Sequence, residues 1–262
     1  MDIFQAVIYG IVQGIGEFLP ISSTAHLDLM PWLFGWQKQA QYFDMALHLG
    51  TAFAVIAFFF KDWLVLIRAG FTKPKSADGK LFWFIALATI PGAIAGLVLD
   101  KYAESFGKNV LLIGIMLIVM GAVLYFADKY GKRNVELKEI GLKRSFLVGL
   151  SQALAIIPGV SRSGITMSTG RFLGMTRESI ARFTFLMSAP IILADALYHS
   201  KDMLHTTLPI LPFLVAIITA AVVGLLSIKF LLNYLKTKGF GIFVVYRFAL
   251  GAFVIILYFI RG

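Results

Sequence analysis

The sequence predicts an all-α polytopic membrane protein with six transmembrane helices, two re-entrant helical hairpins and an inverted-topology repeat. Its 262 residues are 59% hydrophobic and only 15% charged, and the mean hydropathy is +0.83. A soluble domain carries about 25% charged residues, so this chain has too few to cover a water-facing surface. Disulfide-scaffold and disordered classes are excluded too, because the chain has no cysteine and is mostly apolar. We therefore treat residues 1–262 as a single membrane domain.

Six apolar stretches are candidates for transmembrane helices, each of which needs about 20 mostly apolar residues. The predicted spans are 45–60 (extendable to Ile67), 81–99, 109–127, 183–198, 206–228 and 240–260.

The net charge of +10 is concentrated in three of the loops between these spans. Loop 61–80 has five basic residues against two acidic ones, loop 128–144 has six against three, and loop 229–239 has three lysines and no acid. Loops 100–108 and 199–205 are neutral. Because basic loops stay on the cytoplasmic side of a membrane, we place the basic loops inside and the neutral loops outside. This distribution explains the positive charge without nucleic acid, which we do not expect as a partner.

Two further segments, 2–36 and 145–174, contain apolar runs that are too short to span the membrane. Pro20 breaks the first and Pro158-Gly159 breaks the second, and polar side chains accompany both breaks. Irregular backbone at membrane depth is tolerated only where it is buried in protein or lines a wet cavity. We therefore predict two re-entrant hairpins that meet near the midplane, where exposed helix N-termini favour anions. The simpler interpretation, two kinked and packed helices, does not account for the polar residues.

The two broken segments resemble each other, which indicates an internal repeat. Around residues 13–24 and 152–163, both segments show an apolar run, a Gln, and then a proline followed by a hydroxyl cluster. We predict that repeat one covers about 1–130 and repeat two about 145–262. Each half crosses the membrane an odd number of times, so the second half begins on the opposite side and has the inverted topology. The charges of the loops independently require the same arrangement.

The first broken segment carries a cluster of residues suited to catalysis. A carboxylate at membrane depth is costly enough to imply a function, so Glu17 is a candidate metal ligand or general base, with Gln13 as a second candidate ligand. Ser23 and His26 are three residues apart, which fits a nucleophile with an adjacent base, or a His nucleophile flanked by hydroxyl donors. Alternatively, the hydroxyls only cap a helix. The complete cluster is Gln13, Glu17, Ser22, Ser23, Thr24 and His26.

The second broken segment carries an arginine among hydroxyl groups. The planar guanidinium of Arg162 suits a phosphate, and Ser161, Ser163 and Thr166 are candidate phosphate ligands beside it. The alternative is that Arg162 forms a permanent structural ion pair with Glu17.

Two weaker signals lie outside these segments. Asp44 and His48 are four residues apart at the start of the first full span, and they are either supporting groups for a site or an interfacial pair. Asp195 and Arg247 lie inside predicted spans, where charged residues usually pair, so a structural ion pair between them is a further hypothesis.

Two motifs give the chain its resemblance to a known family. The first runs from Gln13-Gly-Ile-Gly-Glu17 into Phe18-Leu-Pro-Ile-Ser-Ser-Thr-Ala-His26, and the second is Pro158-Gly-Val-Ser-Arg-Ser-Gly-Ile-Thr166. With them, essentially the whole chain resembles the undecaprenyl-diphosphate phosphatases, also called bacitracin-resistance proteins. That family has Glu or Gln at the position of Gln13, so this chain has the uncharged variant.

The resemblance implies an integral membrane phosphatase of the plasma membrane, with its active site open to the outer side. Its substrate would be the lipid undecaprenyl diphosphate, its product the monophosphate carrier lipid, and its cofactor a divalent cation, Mg²⁺ or Ca²⁺. Glu17, Ser23, His26 and Arg162 would form the catalytic core, with Ser23, His26 or water as the nucleophile. Ser22, Thr24, Ser161, Ser163 and Thr166 would bind the substrate. Whether the protein forms a homodimer stays open.

Two other classes compete with this interpretation. A membrane transporter, or a flippase for polyprenyl phosphate, would also use an inverted repeat, broken helices and polar groups at the midplane. A purely structural membrane scaffold would leave Glu17, His26 and Arg162 without a packing role. The two motifs favour the phosphatase.

Overall fold

The computed structural model of the protein describes residues 2–39, 41–107, 109–203 and 209–261, with the backbone alone described for 41, 100–107 and 195–203. Within these ranges the chain forms eleven α-helices, with no strand beyond an isolated bridge between Val135 and Met175. The helices are α1 (Ile3–Gly16), α2 (Ser23–Phe34), α3 (Gln41–Phe58), α4 (Phe60–Thr72), α5 (Ala77–Gly107), α6 (Val110–Tyr130), α7 (Gly141–Ser151), α8 (Arg162–Phe172), α9 (Arg177–Met203), α10 (Ile210–Leu235) and α11 (Gly241–Arg261).

Four of the predicted spans are confirmed as helices that are long and apolar enough to cross a membrane. They are Ala77–Leu99 within α5, and α6, α10 and α11, with mean hydropathies of 2.1 to 2.7. Many large apolar side chains on these helices are exposed, among them Ile94, Val119, Ile218 and Phe259. A soluble monomer rarely exposes so continuous an apolar surface, whereas lipid covers it in a membrane. The chain is therefore a multi-pass membrane protein.

The two remaining predicted spans differ from the expectation. The stretch 45–60, extendable to Ile67, is not one straight helix, because the chain bends by 75° at Phe59 between α3 and α4. The stretch 183–198 falls in α9, which is long, but whose described part carries Arg177, Glu178 and Arg182 and is not apolar enough to be assigned as a span. Helix α9 packs against α3, α5 and α8, and Phe183, Phe185 and Met187 are buried. A helix enclosed by other helices does not need a uniformly lipid-compatible surface.

Both broken segments form pairs of short helices. Helices α1 and α2 have 14 and 12 residues and are separated by an irregular turn at 17–22. Helices α7 and α8 have 11 residues each, and a 3₁₀ turn over Gln152–Ile156 leads into the second break at 157–161. At 1.5 Å per residue, none of the four helices reaches the roughly 30 Å thickness of the hydrocarbon core.

Helices from the two halves of the chain pack against each other in a matched pattern. Helices α1 and α3 of the first half pack on α10, whereas α7 and α9 of the second half pack on α5, and α6 packs on α11. A two-fold relation between the halves would produce these exchanged contacts. The repeat boundaries themselves stay a prediction.

Glycine allows the close approach of α1 to α10. A Cβ atom on Gly14 would lie 2.8 Å from the Cβ of Val223 and 2.9 Å from the backbone nitrogen of Gly224. Small residues at such contacts let two membrane helices approach backbone to backbone. This contact fixes α1, and with it Glu17 at its C-terminal end.

The basic loops gather at one end of the molecule. Asp128 at the end of α6 accepts hydrogen bonds from Arg177 at 2.6 and 2.8 Å and from the backbone nitrogen of Phe240 at 3.0 Å. Nearby, Lys138 pairs with Asp78 at 2.8 Å. These contacts join the loops that the charge pattern assigns to the cytoplasm.

Candidate active site

A cavity of about 330 Å³ lies where the two broken segments meet. Both breaks contribute the residues that begin the following helix, at the N-termini of α2 and α8. Because helix N-termini present unsatisfied N–H groups and a partial positive charge, two of them bordering one cavity favour an anionic ligand. The described lining consists of Gly16, Glu17, Ser22, Ser23, Thr24, His48, Gly92, Ala93, Gly96, Leu97, Gln152, Ala155, Ile156, Ser161, Arg162, Ile191 and Ala194.

The two breaks share an unusual backbone conformation. Ser22 and Ser161 have positive φ angles of 77° and 73°, and no other non-glycine residue does so in the described chain. Each serine is the N-cap of the helix that follows. The Oγ of Ser22 accepts from the nitrogen of Ala25 at 3.3 Å, and that of Ser161 accepts from the nitrogen of Gly164 at 3.1 Å. Positive φ is costly for a residue with a Cβ, so the same strained cap recurs where both segments reach the cavity.

Glu17 is the centre of a hydrogen-bond network in the first segment. The Ser23 hydroxyl donates to Glu17 Oε2 at 3.0 Å, and the Gln13 amide donates to the same oxygen at 3.1 Å. His48 Nδ1 lies 3.9 Å from this oxygen and 3.2 Å from the Gln13 Nε2. The carboxylate side chain is only 6% exposed. The arrangement holds Glu17 as a buried hydrogen-bond acceptor and orients the Ser23 hydroxyl toward it.

Arg162 brings the second segment to the same carboxylate. Its Nη1 lies 3.7 Å from Glu17 Oε1, and this buried nitrogen has no hydrogen-bond partner in the described part of the chain. The side chain is 29% exposed and lines the cavity. A permanent structural bridge would be hydrogen-bonded, because a buried charge is costly unless its donors are satisfied. The free donor instead suits a ligand with oxygen acceptors.

His26 does not contact Ser23 as the sequence suggested. Its Nδ1 lies 2.6 Å from the carbonyl of Ser22, which can only accept, so Nδ1 carries a proton. In the neutral ring, Nε2 then accepts from the Tyr246 hydroxyl at 2.6 Å, and the two rings stack. Within the part of the chain that the structure describes, Ser23 and His26 share no hydrogen bond. Their partners draw the two side chains apart, because Ser23 bonds to Glu17 and His26 bonds to Tyr246 on α11.

The predicted hydroxyl ligands divide into two groups. Ser22, Thr24 and Ser161 line the cavity. Ser163 and Thr166 do not belong to its described lining, because they bond to protein instead. Ser163 donates to the carbonyl of Leu19 at 3.1 Å, and Thr166 donates to the carbonyl of Arg162 at 2.8 Å and pairs with Thr184 at 3.0 Å.

Comparison with known proteins identifies the family. The sequence matches the model of the family described as Bacitracin resistance protein BacA over residues 6–253. The chain belongs to this family. A protein of Caldicellulosiruptor bescii named undecaprenyl-diphosphatase is 50% identical to it over 264 residues, which cover 100% of both chains. Proteins with the same name from Pelotomaculum thermopropionicum and Moorella thermoacetica are 50% and 49% identical, over 98% and 100% of this chain and 97% and 100% of their own length.

Several groups at this BacA-family site carried no clear sequence signal. The sequence marks His48 only by its spacing from Asp44, yet the residue lines the cavity beside Glu17. Gln152 also lines it, fixed by a hydrogen bond from its Nε2 to the carbonyl of Ala88 at 2.9 Å. Its alignment with Gln13 in the repeat is the signal that could have identified it. Arg247 bonds to backbone carbonyls, and the side chain of its predicted partner Asp195 lies outside the described residues.

The residues of this BacA-family site fit a divalent cation only in part. Hard cations take oxygen ligands, and Mg²⁺ is often held by one or two carboxylates together with substrate phosphates. Glu17 supplies one carboxylate, and no group of three or more His, Cys, Asp or Glu side chains that could hold a metal occurs in the described residues. Gln13 presents its Nε2 to Glu17, while its Oε1 is buried without a partner. Metal ligation by Gln13 therefore needs a rotated amide and stays a prediction.

Proposed function

We propose that the protein is an integral membrane phosphatase that hydrolyses undecaprenyl diphosphate to undecaprenyl phosphate and inorganic phosphate. The product is the carrier lipid of peptidoglycan synthesis, and its recycling would account for bacitracin resistance. The observation that carries the proposal is the convergence of the Ser23–Glu17 pair and Arg162 from separate broken segments on one cavity. Membership of the BacA family and the names of the full-length relatives support the same activity.

The polarity of the cavity suits a lipid diphosphate. Its polar part holds the hydroxyls of both breaks and Arg162, which match phosphate oxygens. Its exposed lining includes Gly96, Leu97 and Ala194 on α5 and α9. An amphiphile with an anionic head and an isoprenoid tail can therefore place its head among the polar groups while its first isoprene units leave past these apolar residues.

Ser23 is the nucleophile that the hydrogen bonds favour. Its Oγ would attack the terminal phosphorus while Glu17 takes the hydroxyl proton, and the bond from phosphorus to the bridging oxygen would break to release undecaprenyl phosphate. Water would then hydrolyse the phosphoserine and release inorganic phosphate. Arg162 and the N–H groups of α8 would balance the charge on the transferred group, since phosphoryl transfer depends mainly on positioning and charge stabilisation. In this scheme His26 supports the first turn of α2 and does not act as the base for Ser23.

A divalent cation, Mg²⁺ or Ca²⁺, completes the proposal. Glu17 would hold it together with the phosphate oxygens of the substrate, and when bound it would supply positive charge to those oxygens.

The proposed topology has six transmembrane helices and two re-entrant hairpins in the plasma membrane. The bent pair α3–α4 and the enclosed helix α9 complete the six, and the exchanged packing of the two halves supports an inverted repeat. With the basic loops inside, the C-terminal ends of α5 and α9 point outward. The cavity, lined by Gly96 and Ala194 near those ends, would open to the outer side.

The activity test is phosphate release from undecaprenyl diphosphate by purified protein in detergent. Arg162→Ala should abolish most of the release while the protein stays folded, whereas Arg133→Ala, at an exposed loop arginine, should leave it unchanged. Release by Arg162→Ala at the wild-type rate would refute the site.

Trapping with labelled substrate in a single turnover identifies the nucleophile. An acid-stable, base-labile phosphoprotein that is lost in Ser23→Ala would support Ser23. An acid-labile phosphoprotein would assign the attack to His26, and hydrolysis without any trapped label would assign it to water.

A further inference from the structure

We propose that Arg247 is a positioning residue for this reaction, which holds the two broken segments together so that Ser23, Glu17 and Arg162 face one another. The inference rests on the proposed phosphatase function. It concerns a side chain on α11 that the two motifs do not contain and that does not belong to the described lining of the cavity.

Arg247 bonds directly to both breaks. Its Nη1 donates to the carbonyl of Pro20 at 3.0 Å, and its Nη2 donates to the carbonyls of Gly159 and Val160. Its Nε donates to the carbonyl of Leu117 on α6 at 3.2 Å. The side chain is completely buried. One guanidinium therefore links the first break, the second break and the α6–α11 contact.

The bonded carbonyls lie next to the reacting groups. Pro20 lies between Glu17 and Ser23, and Val160 is two residues before Arg162. A shift of either break relative to the other would change the distance between Arg162 and Glu17, which is 3.7 Å. Misplacement of reacting groups by about 1 Å can cost about 100-fold in rate. Ser163, which donates to the carbonyl of Leu19, is a second and weaker link between the same two breaks.

The planar fork of arginine suits this position. Arginine offers five N–H donors in a rigid plane, whereas lysine offers three donors at one point. An ammonium at position 247 could reach one break but could not span both. The proposal therefore requires the guanidinium geometry as well as a positive charge.

The chain provides a matched control in Arg171. This arginine is also completely buried and also donates to backbone carbonyls, those of Lys132, Met175 and Gly131, besides pairing with Asp128. Its partners lie at the end of the molecule with the basic loops, away from the cavity. A substitution there should destabilise the protein without moving the breaks.

The experiment compares Arg247→Lys and Arg247→Gln with Arg171→Lys and Arg171→Gln. For each purified full-length variant, kcat and KM for undecaprenyl diphosphate are measured per folded protein, and folding is followed by gel filtration and thermal unfolding in detergent. We expect both Arg247 variants to lose about 100-fold in kcat. Both Arg171 variants should unfold at lower temperature but keep kcat within about threefold.

A double-mutant cycle separates positioning from general damage. In an Arg162→Lys background, which already lacks the guanidinium that Arg247 helps to position, Arg247→Lys should cost much less than it does alone. Energies of residues that act through each other are not additive, whereas independent effects add. The Arg171→Lys effect should be the same in both backgrounds.

Three results would overturn the proposal. The first is wild-type kcat in folded Arg247 variants, the second is full additivity with Arg162→Lys, and the third is failure of both Arg247 variants to fold, which would make the residue a fold determinant only. If the wild-type protein releases no phosphate, the proposed function itself fails, so the two failures are distinguishable.

Discussion

At the scale of single residues, the site depends on groups that share one carboxylate. Glu17 accepts from Ser23 and Gln13 and faces Arg162, so one buried side chain connects the proposed nucleophile with the proposed phosphate ligand. The strained caps Ser22 and Ser161 begin the two helices that border the same cavity. The strain fits a site whose parts are fixed before the substrate binds.

Glu17→Gln tests the role of this carboxylate. The amide keeps the size and one oxygen of the side chain but cannot take a proton from Ser23, and removal of a general base typically costs about 10²- to 10⁴-fold. We expect a loss of phosphate release in this range. Asp28→Asn, at a carboxylate of α2 that pairs with Lys38 at 3.9 Å, is the control and should stay near wild type. Equal losses in both variants would contradict the assignment.

Tyr246→Phe tests whether His26 takes part in the chemistry. The substitution removes the hydroxyl bonded to His26 Nε2 but keeps the stacked ring. A neutral hydrogen bond contributes about 0.5–1.5 kcal/mol, so we expect a decrease in phosphate release of less than about tenfold. A much larger loss in folded protein would indicate that His26 takes part directly in the hydrolysis.

At the scale of helices, the position of the first hairpin is set by close packing of α1 on α10. Gly10 and Gly14 face this contact, and a Cβ at either position would lie within 2.9 Å of an atom of α10. The apolar pattern of α1 indicates a helix, but only the contact explains why glycine occurs at positions 10 and 14.

Gly14→Ala should destabilise the protein by about 1–3 kcal/mol, because an added methyl group overpacks a tight contact. The measurement is the thermal unfolding midpoint in detergent. Gly96→Ala on α5 is the matched control, since its Cβ would meet nothing within 4 Å. An unchanged midpoint in Gly14→Ala would show that α10 can retreat from α1.

At the scale of the whole molecule, the charge pattern of the loops and the contacts between helices distinguish the same two ends of the protein. Loop contacts such as Lys138–Asp78 and Arg177–Asp128 lie at the basic end. At the other end, Arg261 of α11 donates to the carbonyl of Trp32 in α2 at 2.8 Å. The proposed orientation places the first of these ends in the cytoplasm.

Single-cysteine labelling tests this orientation without background substitutions, because the chain has no cysteine. We expect a membrane-impermeant thiol reagent to label Gln37→Cys in intact cells, since Gln37 follows α2 at the end away from the basic loops. Lys138→Cys should react only after the cells are opened. The reverse pattern would invert the topology and place the cavity on the cytoplasmic side.

Local sequence determined much of this protein. Composition identified a membrane protein, apolar runs located four spanning helices, and Pro20 and Pro158-Gly159 marked both breaks. These features depend on hydrophobicity and backbone chemistry within a few residues, so they can be inferred without knowing what packs against them. The motifs also contained most of the polar side chains in the described lining of the cavity.

Tertiary structure decided the remaining features. The bend at Phe59 became visible only in the fold. The bonding of His26 to Tyr246 and the link from Arg247 to both breaks join residues up to 227 positions apart in sequence. No local pattern specifies such pairs, because a side chain's partner is set by which helices pack together. An arginine in an apolar helix signals only that its charge needs partners, and the fold determined that these partners are the carbonyl groups of the two breaks.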